Sequence, residues 1–520
     1  MSNPQKYNIP HSTFRPNQLE TIEWVLNSNK RINIVSAPTG SGKSTIAAAL
    51  GSKNQTSLAL TSSKSLQDQY SNGYGFVSLK GLNAYPCALN SLFMADSCIH
   101  LPQMYNCPVW EECNYIQQRD SFKESDRRSL NYHFFLSAGW LRDYQTDWIV
   151  LDEAHKLPRL LMDFLTINLT QKDLLDLDLV MYPVTDTKNN TIRLKLIQNW
   201  LNKCVTNLNF QIEKLEAQKK RIPFNKRMGL VLKIARIEQK RNQFQNTIYG
   251  IEMDSSKWFS WITPESIKVA PLSAESLFEP FFLEGFDSKI LLMSATIGRP
   301  ELLAQSLGIN DYNYREIPSN FTPEERPVYS LKDAPKMGHK ATLLAHEKQA
   351  DSIANSIKSL HPGWSGVIHV NSKQKANQLK SRLDSRGLEH RTYVADGQGT
   401  DGKLKAWDKQ KLLKRNSICL SYSFDEGVDM GEENFCISAD IPFAYLGDPI
   451  EKARMDYDPV YFKAEAANKL EQRSGRIRRG RPEDYDTPDK RNGFVAIADQ
   501  NWNIVKEQLS PDFLSCIKQL

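Results

Sequence analysis

A glycine-rich segment near the N-terminus has residue types that could bind a nucleotide phosphate. The segment INIVSAPTGSGKSTIAAAL (32–50) joins a β-branched run to a glycine-rich turn and an alanine-rich stretch, which predicts strand, loop and helix. The predicted nucleotide-binding residues are Gly40, Gly42, Lys43, Ser44 and Thr45. Backbone N–H groups of the turn would hold the phosphates, with the Lys43 ammonium on the β- and γ-phosphates and the Ser44 hydroxyl on Mg²⁺.

A second segment supplies two carboxylates that ATP hydrolysis would use. In DWIVLDEAHKL (147–157) an apolar run that predicts a strand ends at Asp152 and Glu153. We expect Asp152 to hold Mg²⁺ and Glu153 to polarise the attacking water, as phosphoryl transfer requires. The polar start of an ordinary helix is the alternative explanation of these residues.

A basic segment far along the chain could act on the same phosphates. EQRSGRIRRG (471–480) puts Arg476 and Arg479 three residues apart, near one face of a predicted helix. We expect them to act as arginine fingers on the γ-phosphate, and Gln472 of the same segment to be catalytic. A basic helix that faces nucleic acid or solvent is the alternative.

An acidic segment adds two further nucleotide-binding candidates. SYSFDEGVDM (421–430) follows an apolar strand and contains Gly427 and Asp429. We expect a loop here that contacts the γ-phosphate and the nucleic-acid strand. A surface acidic turn is the alternative.

Four of the eight cysteines lie in one short stretch, CALNSLFMADSCIHLPQMYNCPVWEEC (87–113). The predicted metal ligands are Cys87, Cys98, Cys107 and Cys113, with His100 as a possible substitute ligand. Zinc sites usually use close CxxC-type pairs, which this stretch lacks, so its spacing favours an iron–sulfur cluster. Structural zinc and the absence of any metal stay open. We expect ordinary buried thiols at the scattered positions Cys204, Cys419, Cys436 and Cys516.

These candidate residues need parallel sheets and helices to position them. In the second half of the chain the apolar runs GVIHV, RTYVA, SICLSY, NFCISADI and GFVAIAD alternate with helical stretches, which predicts a doubly wound parallel sheet. The wide spacing of the motifs in the first half predicts two insertions. One holds the clustered cysteines. The other (161–270) has long helical patterns on both sides of Pro223, which predicts a helical hairpin.

The composition is typical of a folded protein with real cores, with 40% hydrophobic and 24% charged residues. The first residues lack the apolar core of a signal peptide, and no apolar run has the roughly 18 residues of a membrane helix. We therefore expect a cytoplasmic protein in a reducing compartment, where clustered cysteines bind metal more often than they form disulfides. The net charge of +6 permits a polyanionic partner without requiring one.

The ordered set of motifs resembles the XPD/DinG-like branch of the superfamily 2 helicases. The similar segments are FRPNQ (14–18, Q-motif), LTSSKSLQDQY (60–70, motif Ia), LLMSATI (291–297, motif III), GWSGVIHVNSKQ (363–374, motif IV), KGLNAYPC (80–87) and NYHFF (131–135). The matches run in family order along nearly the whole chain. The resemblance implies that Gln18 reads the adenine base, and that ATP, Mg²⁺ and a [4Fe–4S] cluster are the cofactors.

The resemblance also implies an α/β fold with two RecA-like lobes, the first of which is interrupted twice. The expected segments are 1–80, 121–160 and 271–297 for the first lobe, 81–120 for the iron–sulfur insertion, 161–270 for the Arch-like insertion and 298–520 for the second lobe. His155, Ser294 and Thr296 would couple ATP hydrolysis to movement of the nucleic-acid strand.

The sequence therefore predicts an ATP-dependent DNA helicase that acts as a monomer on single-stranded or forked DNA. Polarity from 5′ to 3′ is implied only by the resemblance. A DEAH-type RNA helicase and a nucleotide-switched binding module without unwinding are the alternatives.

A basic stretch in the second insertion could contact the nucleic-acid strand. From Glu213 to Arg241 there are ten Lys or Arg residues against three Glu, and three aromatic residues flank or interleave them: Phe210, Phe224 and Phe244. Basic side chains would follow the phosphates while the aromatic rings stack on unpaired bases. An ordinary solvated hairpin with core phenylalanines is the alternative.

Overall fold

The computed structural model describes the following parts of the chain: 4–38, 40–52, 55–98, 100, 104–183, 187–223, 227–359, 364–395, 416–422, 434–475 and 493–519. Within these ranges the chain forms two parallel sheets of seven strands each and one antiparallel sheet of three strands. The predictions for five residues lie outside them: Phe224, Gly427, Asp429, Arg476 and Arg479.

The first sheet contains the strands that precede the glycine-rich turn and the two carboxylates. Its strands are β1 (Ile32–Ser36), β2 (Ser57–Thr61), β3 (Val77–Ser78), β4 (Arg127–Asn131), β5 (Trp148–Asp152), β9 (Lys289–Ser294) and β10 (Asn313–Glu316). They are parallel in the order β10-β1-β9-β5-β2-β4-β3. Because parallel strands end at one edge of a sheet, the segments that follow β1, β9 and β5 are neighbours there.

Helices cover both faces of the first sheet. They are α1 (Gln18–Leu26), α2 (Lys43–Leu50), α3 (Lys64–Tyr74), α4 (Asn114–Glu124), α5 (Tyr132–Ser137), α6 (Leu157–Leu165) and α10 (Pro300–Ser306). Successive residues of β1 point to different cores, since Ile34 and Val35 belong to separate buried clusters. A strand buried on both sides reads as a continuous apolar run, which is why this part of the fold was predictable.

The first insertion connects β3 to β4 and carries the clustered cysteines on short turns. Its described elements are the 3₁₀ helices Leu82–Ala84, Ala95–Ser97, Met104–Asn106 and Trp110–Glu112. Helix α4 follows the last of these turns, and its Tyr115, Ile116 and Phe122 are buried in the core of the first lobe.

The second insertion connects β5 to β9 and contains the predicted helical hairpin. Its elements after α6 are β6 (Ile167–Thr170), α7 (Gln171–Asp176), α8 (Asn190–Arg221), α9 (Met228–Met253), β7 (Trp258–Ile262) and β8 (Ser266–Pro271). The strands form the antiparallel sheet β6-β8-β7. Leu201 and Leu208 of α8 and Ile237 and Phe244 of α9 are buried in one cluster. Among the described helices, none is long and apolar enough to cross a lipid bilayer.

The second parallel sheet lies in the C-terminal half. Its strands are β11 (Val328–Ser330), β12 (Gly366–His369), β13 (Thr392–Val394), β14 (Ile418–Ser421), β15 (Phe435–Ser438), β16 (Phe494–Ile497) and β17 (Ile517–Gln519), in the order β13-β14-β12-β15-β16-β11-β17. The helices are α11 (Leu343–Lys358), α12 (Lys373–Leu383), α13 (Pro449–Tyr457), α14 (Pro459–Ser474), α15 (Trp502–Val505) and α16 (Pro511–Cys516). The predicted strands β12 to β16 are therefore present, and β11 and β17 are additional.

The first lobe extends beyond the boundary predicted at 297. Strand β10 pairs in parallel with β1, with Asn313 opposite Asn33. In the preceding helix α10, Leu303 and Ala304 are buried in the core of the first lobe. The segment reaches the first sheet because β1 would otherwise be left as an exposed edge, and the second lobe begins only after Glu316.

Candidate active site

The glycine-rich turn after β1 has the backbone geometry of a phosphate-binding loop. Gly40 and Gly42 have φ of 86° and 84°, a left-handed conformation that other residues rarely adopt. A Cβ at Gly42 would also lie 2.0 Å from Nε2 of Gln18. Gly42 caps the N-terminus of α2, where free backbone N–H groups favour an anion. The backbone conformation at both positions, and the close approach of Gln18 to Gly42, therefore favour glycine.

Gln18 and Arg15 brace this turn from the start of α1. The Gln18 side chain accepts a hydrogen bond from the Arg15 N–H (2.7 Å) and donates to the carbonyl oxygens of Ser41 (2.8 Å) and Gly42 (3.3 Å). The Arg15 guanidinium donates to the carbonyl oxygen of Gly40. Gln18 therefore contacts the phosphate-binding turn itself, and its role in reading adenine stays a prediction.

Asp152 lies buried at the end of β5, between two tyrosines. Its Oδ2 accepts a hydrogen bond from the Tyr70 hydroxyl (3.0 Å), and its main-chain oxygen accepts one from the Tyr132 hydroxyl (2.8 Å). Burial and the nearby charge of Glu153 raise the pKa of Asp152 to about 6. A cation at this position would favour the ionised carboxylate. Each carboxylate oxygen accepts one hydrogen bond in the structure and so has acceptor capacity left for Mg²⁺.

Glu153 faces the lysine of the glycine-rich turn. Its Oε1 lies 3.6 Å from Lys43 Nζ. Burial disfavours the charged carboxylate, but the positive charge of Lys43 helps to outweigh it, so that the pKa of Glu153 is lowered to about 2. Glu153 also has φ of 57°, a strained value for a residue with a side chain. Backbone strain of this kind clusters at functional sites, where the surrounding structure holds it in place.

A chain of hydrogen bonds connects Glu153 to the second lobe. Gln472 Nε2, near the end of α14, lies 2.6 Å from His155 Nε2, and His155 Nδ1 lies 2.7 Å from Ser294 Oγ. Ser294 in turn donates to Glu153 Oε2 (3.3 Å). Burial lowers the pKa of His155 to about 3, so the ring is neutral and has one donor and one acceptor nitrogen. Gln472 also donates to Thr296 Oγ1 (3.0 Å).

All the hydrogen bonds between Gln472 and Glu153 can be donated in the same direction. If His155 carries its proton on Nδ1, Gln472 donates to His155, His155 to Ser294 and Ser294 to Glu153. The structure thus brings together the three predicted coupling residues and Gln472, which was predicted to be catalytic: His155, Ser294, Thr296 and Gln472. A movement of the second lobe that displaces Gln472 would therefore alter the hydrogen bonds that lead to the Glu153 carboxylate.

Two further predicted residues, Ser44 and Thr45, lie buried at the start of α2. Ser44 Oγ accepts a hydrogen bond from Gln69 (3.4 Å), and Thr45 Oγ1 lies 3.1 Å from the Tyr74 hydroxyl. Ser44 is also within hydrogen-bonding reach of Tyr70, the tyrosine that contacts Asp152. Ser44 and Asp152 are therefore neighbours of one hydroxyl group, as a shared cation would require.

Three further residues hold the site in place, although no role was predicted for them. Tyr70 belongs to LTSSKSLQDQY, Tyr132 to NYHFF and Arg15 to FRPNQ. Both tyrosines are fully buried and their hydroxyls contact Asp152. The tyrosine in the largely polar segment LTSSKSLQDQY could have been identified as a structural residue, because a buried tyrosine needs a hydrogen-bond partner for its hydroxyl.

The four clustered cysteines line one small cavity in the first insertion, together with Ala95 and Met104. Three of them each directly follow a 3₁₀ turn, and their N–H groups donate to the carbonyl oxygen three residues earlier: Cys98, Cys107 and Cys113. Burial raises the pKa of the Cys98 thiol, and the three neighbouring thiols raise it further. The predicted substitute His100 is not among the described residues that line this cavity.

The cysteine cavity offers four thiols as possible metal ligands. Among the described residues, no group of three or more His, Cys, Asp or Glu side chains is placed to hold one metal ion. Four ligands of one tetrahedral zinc must crowd around a single centre, whereas the thiolates of a [4Fe–4S] cube bind four separate iron atoms. Four thiols around one cavity therefore fit the cube. The other four cysteines are buried, as predicted: Cys204, Cys419, Cys436 and Cys516.

The basic hairpin presents one exposed aromatic ring among its charges. Lys203, Phe210, Lys214 and Arg221 are exposed and spaced seven, four and seven residues apart, so they share one face of α8. Phe210 is 67% exposed. The prediction that Phe244 offers a stacking surface is wrong, because Phe244 is completely buried between α8 and α9 near Trp200.

Glu471, next to Gln472, fixes the C-terminal segment to α14. Its carboxylate accepts hydrogen bonds from the Ser510 N–H (2.5 Å) and hydroxyl (3.1 Å). Burial is the main reason that its pKa is raised to about 7. The native state therefore holds this proton more tightly than the unfolded chain, and the resulting stability is lost as the pH rises from about 4.5 through about 7.

The substitution Glu471→Gln should remove this loss of stability. An amide keeps the shape and can donate to the Ser510 hydroxyl, yet it carries no charge at any pH. We expect the melting temperature of the variant to exceed that of the wild-type chain at about pH 8, and the difference to shrink toward about pH 5. Calorimetry across this range would measure it. A difference that is constant with pH would contradict the assignment to Glu471.

No family model matches the chain. It is 21% identical over 399 residues to the ATP-dependent DNA helicase YoaA of Escherichia coli (strain K12), an alignment that covers 68% of this chain and 60% of YoaA. The chain thus spans less than two thirds of this relative.

Solved structures show the fold more completely. An XPD helicase structure has a TM-score of 0.59 with 13% sequence identity and covers 98% of this chain and 100% of its own. A second XPD structure, in the apo form, has a TM-score of 0.53 with 13% identity and covers 97% and 100%. The predicted resemblance to XPD/DinG-like helicases and the predicted pair of RecA-like lobes are confirmed.

Proposed function

We propose that this chain is an ATP- and Mg²⁺-dependent DNA helicase that moves along single-stranded DNA. The observation that supports this most strongly is the chain of hydrogen bonds from Gln472 of the second lobe to Glu153 of the first. A motor needs its hydrolytic groups to respond to movement of the lobes, and these contacts supply that link. The similarity to a DNA helicase favours DNA over RNA as the strand.

The side chains around the glycine-rich turn divide the work of phosphoryl transfer. Mg²⁺, when bound, would neutralise charge on the β- and γ-phosphates. Ser44 and Asp152 would hold it, with the Tyr70 hydroxyl orienting the Asp152 carboxylate. Lys43 would contact the phosphates from the position where it now faces Glu153. Arg476 and Arg479 would approach the γ-phosphate from the second lobe.

Glu153 would accept a proton from the attacking water. Its carboxylate is ionised, because its pKa is lowered to about 2. Oε2 receives the hydrogen bond from Ser294, which leaves Oε1, on the Lys43 side, as the oxygen that faces the phosphates. The hydrogen-bond chain thus orients the base as well as linking it to the second lobe.

The cysteine cavity would hold a [4Fe–4S] cluster through Cys87, Cys98, Cys107 and Cys113. Such a cluster would supply rigidity to an insertion that otherwise consists of short turns. Polarity from 5′ to 3′ follows only from the resemblance to the family.

The exposed face of α8 is the surface that we propose for contact with nucleic acid within the hairpin. Lys203, Lys214 and Arg221 would track phosphates, and the Phe210 ring would stack on a base. Contacts of this kind do not depend on base sequence, as a translocating motor requires.

Lys43→Ala tests the proposed function. We expect single-stranded DNA to stimulate ATP hydrolysis by the wild-type chain more than RNA does. The rate of the variant should be about 10²–10³-fold lower, because the variant lacks the positive charge that would contact the phosphates. Strand binding, measured by fluorescence anisotropy, should persist, and Lys172→Ala, an exposed lysine on α7, is the matched control.

Three outcomes would contradict parts of the proposal. Stronger stimulation by RNA would favour the RNA helicase. DNA-dependent hydrolysis without unwinding of a forked duplex would favour the nucleotide-switched binding module. Hydrolysis that survives in Lys43→Ala would overturn the assignment of the site.

A further inference from the structure

A cluster of charged side chains joins the two lobes away from the glycine-rich turn. Its members are Arg159 and Asp163 on α6 of the first lobe, and Glu451, Arg454 and Glu465 on α13 and α14 of the second. We refer to these five residues as the interlobe charge cluster.

Arg159 makes the central contact of the interlobe charge cluster. Its guanidinium donates to both carboxylate oxygens of Glu451, at 2.9 and 2.6 Å, which is the bidentate geometry that arginine favours. It also lies 3.9 Å from Glu465 and donates to Asp163 (3.0 Å) on its own helix. A single side chain of the first lobe therefore makes ion pairs with two helices of the second.

Arg454 is the second arginine of the interlobe charge cluster. It is 5% exposed, and its guanidinium donates to the Pro271 carbonyl oxygen of β8 (3.1 Å) and to Glu451 (3.0 Å), with Asp163 at 3.4 Å. Burial favours the neutral form of Glu451, but the hydrogen bonds and positive charges of Arg159 and Arg454 together outweigh burial and lower its pKa. Glu451 and Arg454 are the buried members of the cluster, and loss of one would leave the other without its compensating charge.

The helices that carry these charges also lie next to the hydrogen bonds that connect Gln472 to Glu153. Helix α6 begins two residues after His155. Glu465 and Gln472 are seven residues apart on α14, which is two helical turns, so they lie on the same face about 10 Å apart. On that face, Tyr461 packs against the core of the first lobe. The position of Gln472 is therefore set by where the charge cluster holds α14.

We propose that Arg159, Glu451 and Glu465 are positioning residues that hold α14 against α6 and so keep Gln472 in contact with His155 and Thr296. This inference rests on the proposed function for its effect on ATP hydrolysis. The contact itself can be tested separately from activity, by a measurement that does not depend on ATP hydrolysis.

The first test measures the contact directly, by hydrogen exchange of the full-length chain without nucleotide. We expect Arg159→Ala to increase amide exchange in the last two turns of α14, and Arg159→Lys to restore most of the protection. Arg386→Ala is the matched control, since it removes ion pairs of similar length (2.7 Å) that lie within the second lobe. Unchanged exchange at the end of α14 in Arg159→Ala would overturn the proposal.

The second test asks whether Arg159 acts through Gln472. We expect Arg159→Ala to lower kcat for ATP about ten- to a hundredfold, because misplacing a group by about 1 Å has costs of this size, with KM for ATP within about twofold. In a Gln472→Ala background, Arg159→Ala should lower kcat no further. An equal loss in both backgrounds would mean that Arg159 acts by another route.

The two tests separate failure of the inference from failure of the proposed function. A wild-type chain that hydrolyses no ATP would refute the helicase, and the exchange measurement would still decide the positioning role. A wild-type chain that hydrolyses ATP, with Arg159→Ala unchanged in both exchange and kcat, would refute the positioning role alone.

Discussion

Glu153→Gln is expected to lower the rate of ATP hydrolysis by about 10²–10⁴-fold while ATP still binds. The amide keeps the size of the side chain but cannot accept a proton from water. Lys43 and Ser44 would keep their contacts with the phosphates, so affinity for ATP should stay close to that of the wild-type chain. Steady-state hydrolysis together with equilibrium binding of a fluorescent ATP analogue would measure both quantities.

The matched control for this prediction is Glu301→Gln, because Glu301 is an exposed carboxylate on α10 of the same lobe. It should leave both hydrolysis and binding unchanged. Asp152→Asn offers a contrast, since loss of a Mg²⁺ ligand should raise the Mg²⁺ concentration needed for activity. Hydrolysis by Glu153→Gln at a rate near that of the wild-type chain would show that another group activates the water.

The parts of the fold that sequence analysis predicted are those with local signals. Strands β1 and β5 are apolar runs that end in motif residues, and they are buried on both faces. The helical hairpin was predictable because α8 and α9 each keep an apolar stripe over many turns. Because the motifs directly follow strands of one parallel sheet, their meeting at one edge followed from the fold class.

Three of the missed strands, β10, β11 and β17, are short, polar or both. Strand β10 (Asn313–Glu316) is a partly exposed edge strand, and β11 and β17 have three residues each. Such segments lack the alternation or the long apolar run that predicts a strand, and pairing with neighbours decides their conformation. The boundary between the lobes was set too early for this reason.

The missed site contacts join residues far apart in the chain. Tyr70 meets Asp152 only because α3 packs on the first sheet, and Arg159 meets Glu451 only because the two lobes pack together. Their types were ordinary in sequence, since a charged residue on a helix usually faces solvent. Phe210 and Phe244 illustrate the same limit, because only the packing of α8 on α9 decides which ring is exposed.

Cys113→Ser is expected to abolish iron binding and duplex unwinding. The wild-type chain, purified without oxygen, should contain about four iron atoms and be brown in visible light. Cys113 lies between the Trp110–Glu112 turn and α4, so its thiolate would tie the cysteine cavity to a helix buried in the first lobe. Serine offers a hydroxyl in place of the thiolate that iron–sulfur clusters use, and the short turns of the insertion would lose their common anchor.

The matched control is Cys204→Ser, a buried thiol of α8 outside the cysteine cavity, which should keep its iron. ATP hydrolysis stimulated by single-stranded DNA should survive in Cys113→Ser better than unwinding of a forked duplex does. The reason is that Glu153, Lys43 and the contacts of Gln472 lie outside the cysteine insertion. Zinc in place of iron in the wild-type chain would favour the structural zinc site. Unwinding that survives complete loss of iron would mean that the insertion does not support strand separation.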